Sequence, residues 1–192
     1  DEETVVVLGA EKISQYVGYG SSVRFTGNYA DQTPKGFSAD ETEVMTQCAV
    51  IFMDASPRTS GKSQFIDDFQ RDLNKAYCGF SSLRFAKKYT QVASGNWTYG
   101  FNGNNMQVKF LQQVLAASRA EKCLIYHPFG RDFEGQVEAF ISWLQRNNFT
   151  TGELFRLYLE VMQSCYSGPN SRLNDLDIFE CLKDTQDRKS VV

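Results

Sequence analysis

The densest group of reactive side chains is the run Asp54-Ala-Ser-Pro-Arg-Thr-Ser-Gly-Lys-Ser63, set between an apolar stretch and an amphipathic one. From Ser56 it reads S-x-x-x-x-G-K-S. A phosphate-binding loop has the form G-x-x-x-x-G-K-S/T. Its backbone must turn sharply and aim N–H groups inward, with the lysine on phosphate and the hydroxyl on Mg²⁺. Gly61, Lys62 and Ser63 are therefore candidate phosphate-binding residues. Two groups are missing: Ser56 replaces the leading glycine, and Pro57 removes one N–H donor. No later strand ends in an acid placed to hold the metal, because the apolar run at 123–126 leads into His127-Pro128.

The same turn supports a second reading. Asp54-Ala55-Ser56 resembles the start of the metal-dependent adhesion site of von Willebrand A-type domains. There D-x-S-x-S lines one side of a divalent ion with short oxygen ligands. The resemblance implies a cation site, but Arg58 holds the third position and cannot ligate a cation. Gly20-Ser21 with Asp31 resembles the opening of a nucleotidyltransferase site. The second Mg²⁺-binding acid would fall at Thr33, so that chemistry fails.

His127 is the sole histidine and stands where a strand is expected to end, the usual place for ligands in open α/β sheets. With Asp132 it is a candidate acid or base; the alternative is a turn histidine held by hydrogen bonds. The five cysteines, Cys48, Cys78, Cys123, Cys165 and Cys181, are widely spaced and form no CxxC. Cys48 and Cys123 lie in apolar runs, and the five are expected to be buried free thiols in a reducing compartment; the alternative is a secreted protein with two bridges and one free Cys. No Cys/His dyad and no zinc set emerges. Every catalytic pattern thus lacks an essential group, and the expectation is no catalytic residue, no metal and no cofactor.

Interaction chemistry is better represented. Arg84-Phe-Ala-Lys87-Lys88-Tyr89 interleaves charge with aromatic rings, and Trp97 follows in a Ser/Gly/Asn-rich stretch. Aromatic faces stack bases while Lys and Arg track phosphates; the same residue types anchor protein interfaces. Residues 154–162 are apolar on more than one helical face, which singles out Phe155 and Tyr158 as interface candidates. The candidate interaction residues are therefore Arg84, Lys87, Lys88, Tyr89, Trp97, Phe155 and Tyr158.

The net charge of −3 argues against a general nucleic-acid binder, although residues 61–120 carry eight bases against three acids. No run of eighteen apolar residues is present, so no membrane association is expected. Free thiols suggest a cytoplasmic or nuclear protein. The sequons at Asn96 and Asn148 are compatible with a secreted one.

The elements that must position these residues alternate. Strands are expected at 4–8, 22–26, 48–53, 81–89 and 123–126, with a turn at 17–22 and long loops at 27–44 and 93–105. Helices are expected at about 63–77, 105–118, 132–147, 151–165 and 174–183, with the tail after Asp184 frayed. Asn104 or Asn105 would cap the second helix, and Thr150 with Glu153 fits a capping box. The expected fold is a single α/β domain over residues 1–192. Its largely parallel or mixed sheet is flanked by helices in a Rossmann-like three-layer arrangement, with a core at 48–147 and a C-terminal helical element at 151–183. The functional expectation is a non-enzymatic protein-interaction or scaffold domain with a protein partner and self-association. Two alternatives are a nucleotide- or phosphate-binding protein using the turn at 56–63, and an RNA-binding module using 84–101.

Overall fold

The computed structural model describes residues 3–8, 13–18, 20–29, 49–56, 62–82, 89–97, 105–128, 130–165 and 176–190. Contacts divide the chain into two units, Val5–Phe52 on one side and Asp1–Thr4 with Met53–Val192 on the other.

The smaller unit is made of antiparallel pairs. Strand β1 (Val5–Leu8) pairs with β4 (Ala49–Phe52), Val5 facing Phe52 and Leu8 facing Ala49. Strand β2 (Ser14–Val17) pairs with β3 (Arg24–Asn28), with a bulge between Gln15 and Tyr16. The turn expected at 17–22 is present and needs its glycine. Gly18 has φ +86°, and a Cβ there would lie 2.2 Å from the Ser22 carbonyl oxygen. Short strands with one apolar face cannot build a core alone, and no described residue of this unit is fully buried.

The larger unit holds the core. Helix α1 (Lys62–Ser81) leads to strand β5 (Gln91–Gly95), helix α2 (Met106–Arg119) and strand β6 (Cys123–His127). β5 and β6 are parallel, in register from Gln91–Cys123 to Gly95–His127, with α2 as the crossover that parallel strands require. Helices α3 (Arg131–Asn147), α4 (Thr151–Cys165) and α5 (Ile178–Ser190) complete it. Their starts follow local chemistry. The Asn105 side chain accepts from Gln107 N and Val108 N. Thr150 and Glu153 bond each other reciprocally, Thr150 N donating to the carboxylate at 2.9 Å and Glu153 N to the hydroxyl at 3.2 Å.

The high aromatic content has a packing role. Phe140 stacks on Phe179 at 4.0 Å, and Phe110 meets Tyr126 and Phe179 edge-on at 4.8 and 5.9 Å. These rings tie α2, α3, α5 and β6 together; Phe69 on Tyr158, at 4.2 Å, ties α1 to α4. Offset and edge-on ring pairs add to what area burial alone provides.

The mixed α/β architecture agrees with the sequence. Several details differ. Most of the strand expected at 81–89 lies outside the described residues; α1 runs to Ser81, and a strand not expected from sequence, β5, stands at 91–95. Gln-Val-Ala-Ser-Gly is poor in β-branched residues; its strand state comes from pairing with β6. The tail read as frayed is helical to Ser190. Cys78 and Cys123 are exposed rather than buried. In β6 only alternate residues point at α2, and Cys123 falls on the other face. The loop expected at 27–44 lies largely outside the described residues, as does Cys48. Among the described residues, no helix is long and apolar enough to cross a membrane.

Gly95 sits where the parallel strands leave no room for a side chain. A Cβ built there would lie 2.8 Å from the His127 carbonyl oxygen, a backbone atom that cannot rotate away. Gly95→Ala is expected to cost about 1–3 kcal/mol through this overpacking, read as a lower urea midpoint. An unchanged midpoint would show that the strands can separate at no cost.

Candidate functional site

In open α/β sheets, ligands bind beyond the carboxyl ends of parallel strands. Here β5 ends at Gly95, and each residue around that end is fastened. The Ser94 hydroxyl donates to Gln113 Oε1, and Gln113 Nε2 donates to the Gly95 carbonyl at 3.1 Å. Trp97 N–H reaches back to the same carbonyl at 2.8 Å, closing a three-residue turn centred on Asn96. Asn96 Oδ1 accepts from the Tyr126 hydroxyl at 3.0 Å. Burial pushes the Tyr126 phenol well above its ordinary range, which keeps it a donor. Trp97 Nε1 donates to the Met53 carbonyl at 3.3 Å, and its ring carries Lys109 Nζ 4.7 Å from the centroid.

Lys109 leads into a charge cluster that is buried at Asp72 and Lys75 and exposed at Asp54. Its ammonium contacts the Asp72 carboxylate. Asp72 is 1% exposed and also accepts from Ser56 N at 2.9 Å, Ser56 Oγ at 3.1 Å and Arg71 at 2.8 Å. Arg71 bridges to Asp54 at 2.9 Å, and Lys75 contacts the other Asp54 oxygen. Residues 53, 54 and 56 are thus each held by α1 or by Trp97. One cluster fixes the described ends of two segments, the one after Ser56 and the one after Trp97.

The charges are set by this packing. Hydrogen bonds from Lys75 and Arg71 lower the Asp54 carboxyl from its ordinary 3.8 to about 2, so Asp54 is a fixed anion at neutral pH. Hydrogen bonding to Asp54 raises the Arg71 guanidinium. Burial lowers the Lys109 ammonium, with the Asp72 carboxylate opposing that effect. Because the folded Asp54 value is depressed, its stabilising contribution is full above pH about 4 and is lost as pH falls toward 2. The urea-midpoint gap between the wild type and Asp54→Asn should be constant near neutrality and shrink across that acid window. A gap that widens on acidification would contradict the pairing.

The residues expected from sequence are distributed unevenly. Trp97 is at the site. Tyr89 lies just before β5, its carbonyl accepting from Lys122. Phe155 packs on Phe69 at 6.2 Å, and Tyr158 is 1% exposed inside the core, out of reach of a partner. Gly61, Arg84, Lys87 and Lys88 lie outside the described residues, as do the side chains of Lys62 and Ser63 at the start of α1. The phosphate-loop pattern meets a physical obstacle at its first position. The Ser56 N–H and hydroxyl are committed to Asp72, an anion of the same sign as phosphate. The adhesion-site pattern is answered differently: Asp54 faces a guanidinium and an ammonium where a metal would sit. His127 is exposed and is not joined to Asp132 by any hydrogen bond among the described residues. One face of the Trp97 ring is taken by Lys109.

Sequence reasoning missed Arg71, Asp72, Lys75, Asn96, Lys109, Gln113 and Tyr126. One signal was readable. Asp72 falls in the apolar stripe of α1 with Phe69, Leu73 and Ala76, and a charge at a core position calls for a partner.

Comparison with known proteins decides the family. Residues 1–134 match the model described as poly(ADP-ribose) glycohydrolase (PARG), macro domain fold. The chain belongs to the poly(ADP-ribose) glycohydrolase family. The PARG match spans the fastened residues at 53–56 and 94–97 and all of α1, β5, α2 and β6. Probable poly(ADP-ribose) glycohydrolase 2 of Arabidopsis thaliana is 25% identical over 82% of the chain and 37% of its own length. Poly(ADP-ribose) glycohydrolase 2 of Caenorhabditis elegans is 24% identical over 95% of the chain and 38% of its own. Poly(ADP-ribose) glycohydrolase 1 of C. elegans is 27% identical over 81% and 21%. The chain spans about two fifths or less of the length of these relatives. Membership of a glycohydrolase family overturns the expectation of a non-enzymatic protein-interaction or scaffold domain. Incomplete catalytic motifs had suggested that expectation, but those motifs belong to other chemistries.

Proposed function

We propose that this chain forms part of an enzyme that hydrolyses glycosidic bonds of poly(ADP-ribose), and that the fastened ends of the segments after Ser56 and Trp97 frame its ligand. The observation that carries this reading is the PARG match over residues 1–134, which includes both segments. The relatives' names supply the substrate class. The parallel β5–α2–β6 unit supports a Rossmann-like three-layer arrangement, with ligand beyond the strand ends.

The cluster's part in the reaction is positional. Glycoside hydrolysis needs a carboxyl group that carries a proton near neutral pH. Asp54, held as an anion by Lys75 and Arg71, does not supply one, and Asp72 is enclosed by Lys109, Arg71 and Ser56. Such a frame keeps backbone groups in one geometry, so the ligand meets a site that is already ordered.

Calorimetric titration of the full-length protein with ADP-ribose tests the reading. Saturable binding that also raises the melting temperature is expected. Neither binding nor stabilisation at millimolar ADP-ribose would overturn it.

A further inference from the structure

We propose that Lys109, held between the Asp72 carboxylate and the Trp97 ring, is a positioning residue that fixes the carboxyl end of β5 for an ADP-ribosyl ligand. The inference rests on the functional reading above and assigns a task within it. A lysine in the interior is costly, because its charge must leave water. Lys109 is nevertheless 4% exposed in a helix whose neighbours Val108, Phe110 and Leu111 are core residues. Stability alone would be served by apolar side chains at both Lys109 and Asp72, since replacing a buried ion pair by packed apolar groups is often neutral or stabilising.

What the ammonium does is connect two elements. It meets the anion of α1 on one side and the face of Trp97 on the other. A cation on a desolvated indole face both attracts the ring and sets its orientation. The ring's far edge is set by the Nε1 bond to the Met53 carbonyl. Trp97 is thereby held at two points, directly after the Asn96 turn. Lys109 contacts Asp72, which holds Ser56 and pairs with Arg71, and Arg71 in turn reaches Asp54. Moving the ring would therefore disturb both described segment ends together.

The test uses Lys109→Met, which keeps length and packing, Lys109→Arg, which keeps the charge, and Trp97→Leu. All are made in full-length protein labelled with 5-fluorotryptophan, with the Trp97 resonance assigned by its loss in Trp97→Leu. In folded Lys109→Met the Trp97 fluorine signal should shift or broaden, with a lower melting temperature because the buried Asp72 carboxylate keeps only Arg71 and Ser56. Affinity for ADP-ribose should fall about tenfold, which corresponds to about 1.4 kcal/mol. Lys109→Arg should restore most of that affinity. Trp97→Leu should weaken binding similarly, and the Lys109→Met/Trp97→Leu double variant should be no weaker than the worse single one, because both act on one contact.

A folded Lys109→Met protein with wild-type affinity and an unmoved Trp97 signal would overturn the proposal. Strictly additive losses in the double variant would do the same. If the wild type itself fails to bind ADP-ribose, the functional reading falls and this proposal with it. If the wild type binds and Lys109→Met binds equally, the proposal alone falls.

Discussion

Asp72→Ala is expected to destabilise the protein by about 3–5 kcal/mol, because it leaves the Lys109 ammonium buried without its counter-charge. It also strips an acceptor from the Ser56 N–H and hydroxyl. Asp72 is 1% exposed and Lys109 4%, so water offers little compensation. The loss would appear as a lower urea midpoint with an unchanged slope. Asp72→Leu combined with Lys109→Met should recover much of it, since no lone charge then remains in the interior. A single-variant loss below about 1 kcal/mol would mean that the cluster is hydrated and that Lys109 is not confined.

Phe140→Ala should cost a similar amount, about 3–5 kcal/mol, by a different route. Its ring is fully buried, stacks on Phe179 at 4.0 Å and Trp143 at 5.4 Å, and meets Phe110 at 6.4 Å. Rigid rings on α2, α3 and α5 cannot close round the space left by the lost one, so the cavity term persists. Phe140→Leu, which retains more of the volume, should lose distinctly less. Equal losses for Ala and Leu would imply that ring stacking, rather than volume, dominates at this position.

The fold was legible where local chemistry coincides with tertiary demand. The α3 stripe through Phe133, Val137, Phe140 and Leu144 declares one buried face, and the Asn105 and Thr150 caps use bonds that a helix start needs in any context. β5 was not legible because its strand state is set by β6, thirty residues away, and by Gln113 from α2. The tail beyond Asp184 looked polar enough to fray. It holds its helix alongside α4, where Lys189 reaches Glu160 at 2.6 Å.

The candidate site was legible only at Trp97. Its other members are ordinary charged and amide residues spread over 54 to 126, and only folding brings them together. In the motif-like turn at 54–63, the described Asp54 and Ser56 act as acceptor and donor in a charge cluster. No single-position pattern announces such a cluster. Its one trace is a carboxylate in an apolar helical stripe, which does not say where its cation lies.

The most direct test of the central claim is to incubate the full-length protein with poly(ADP-ribose) and follow the products by chromatography and mass spectrometry. Release of ADP-ribose, reduced in Lys109→Met and largely restored in Lys109→Arg, is the predicted result. Intact polymer under conditions in which the protein is folded would contradict the account.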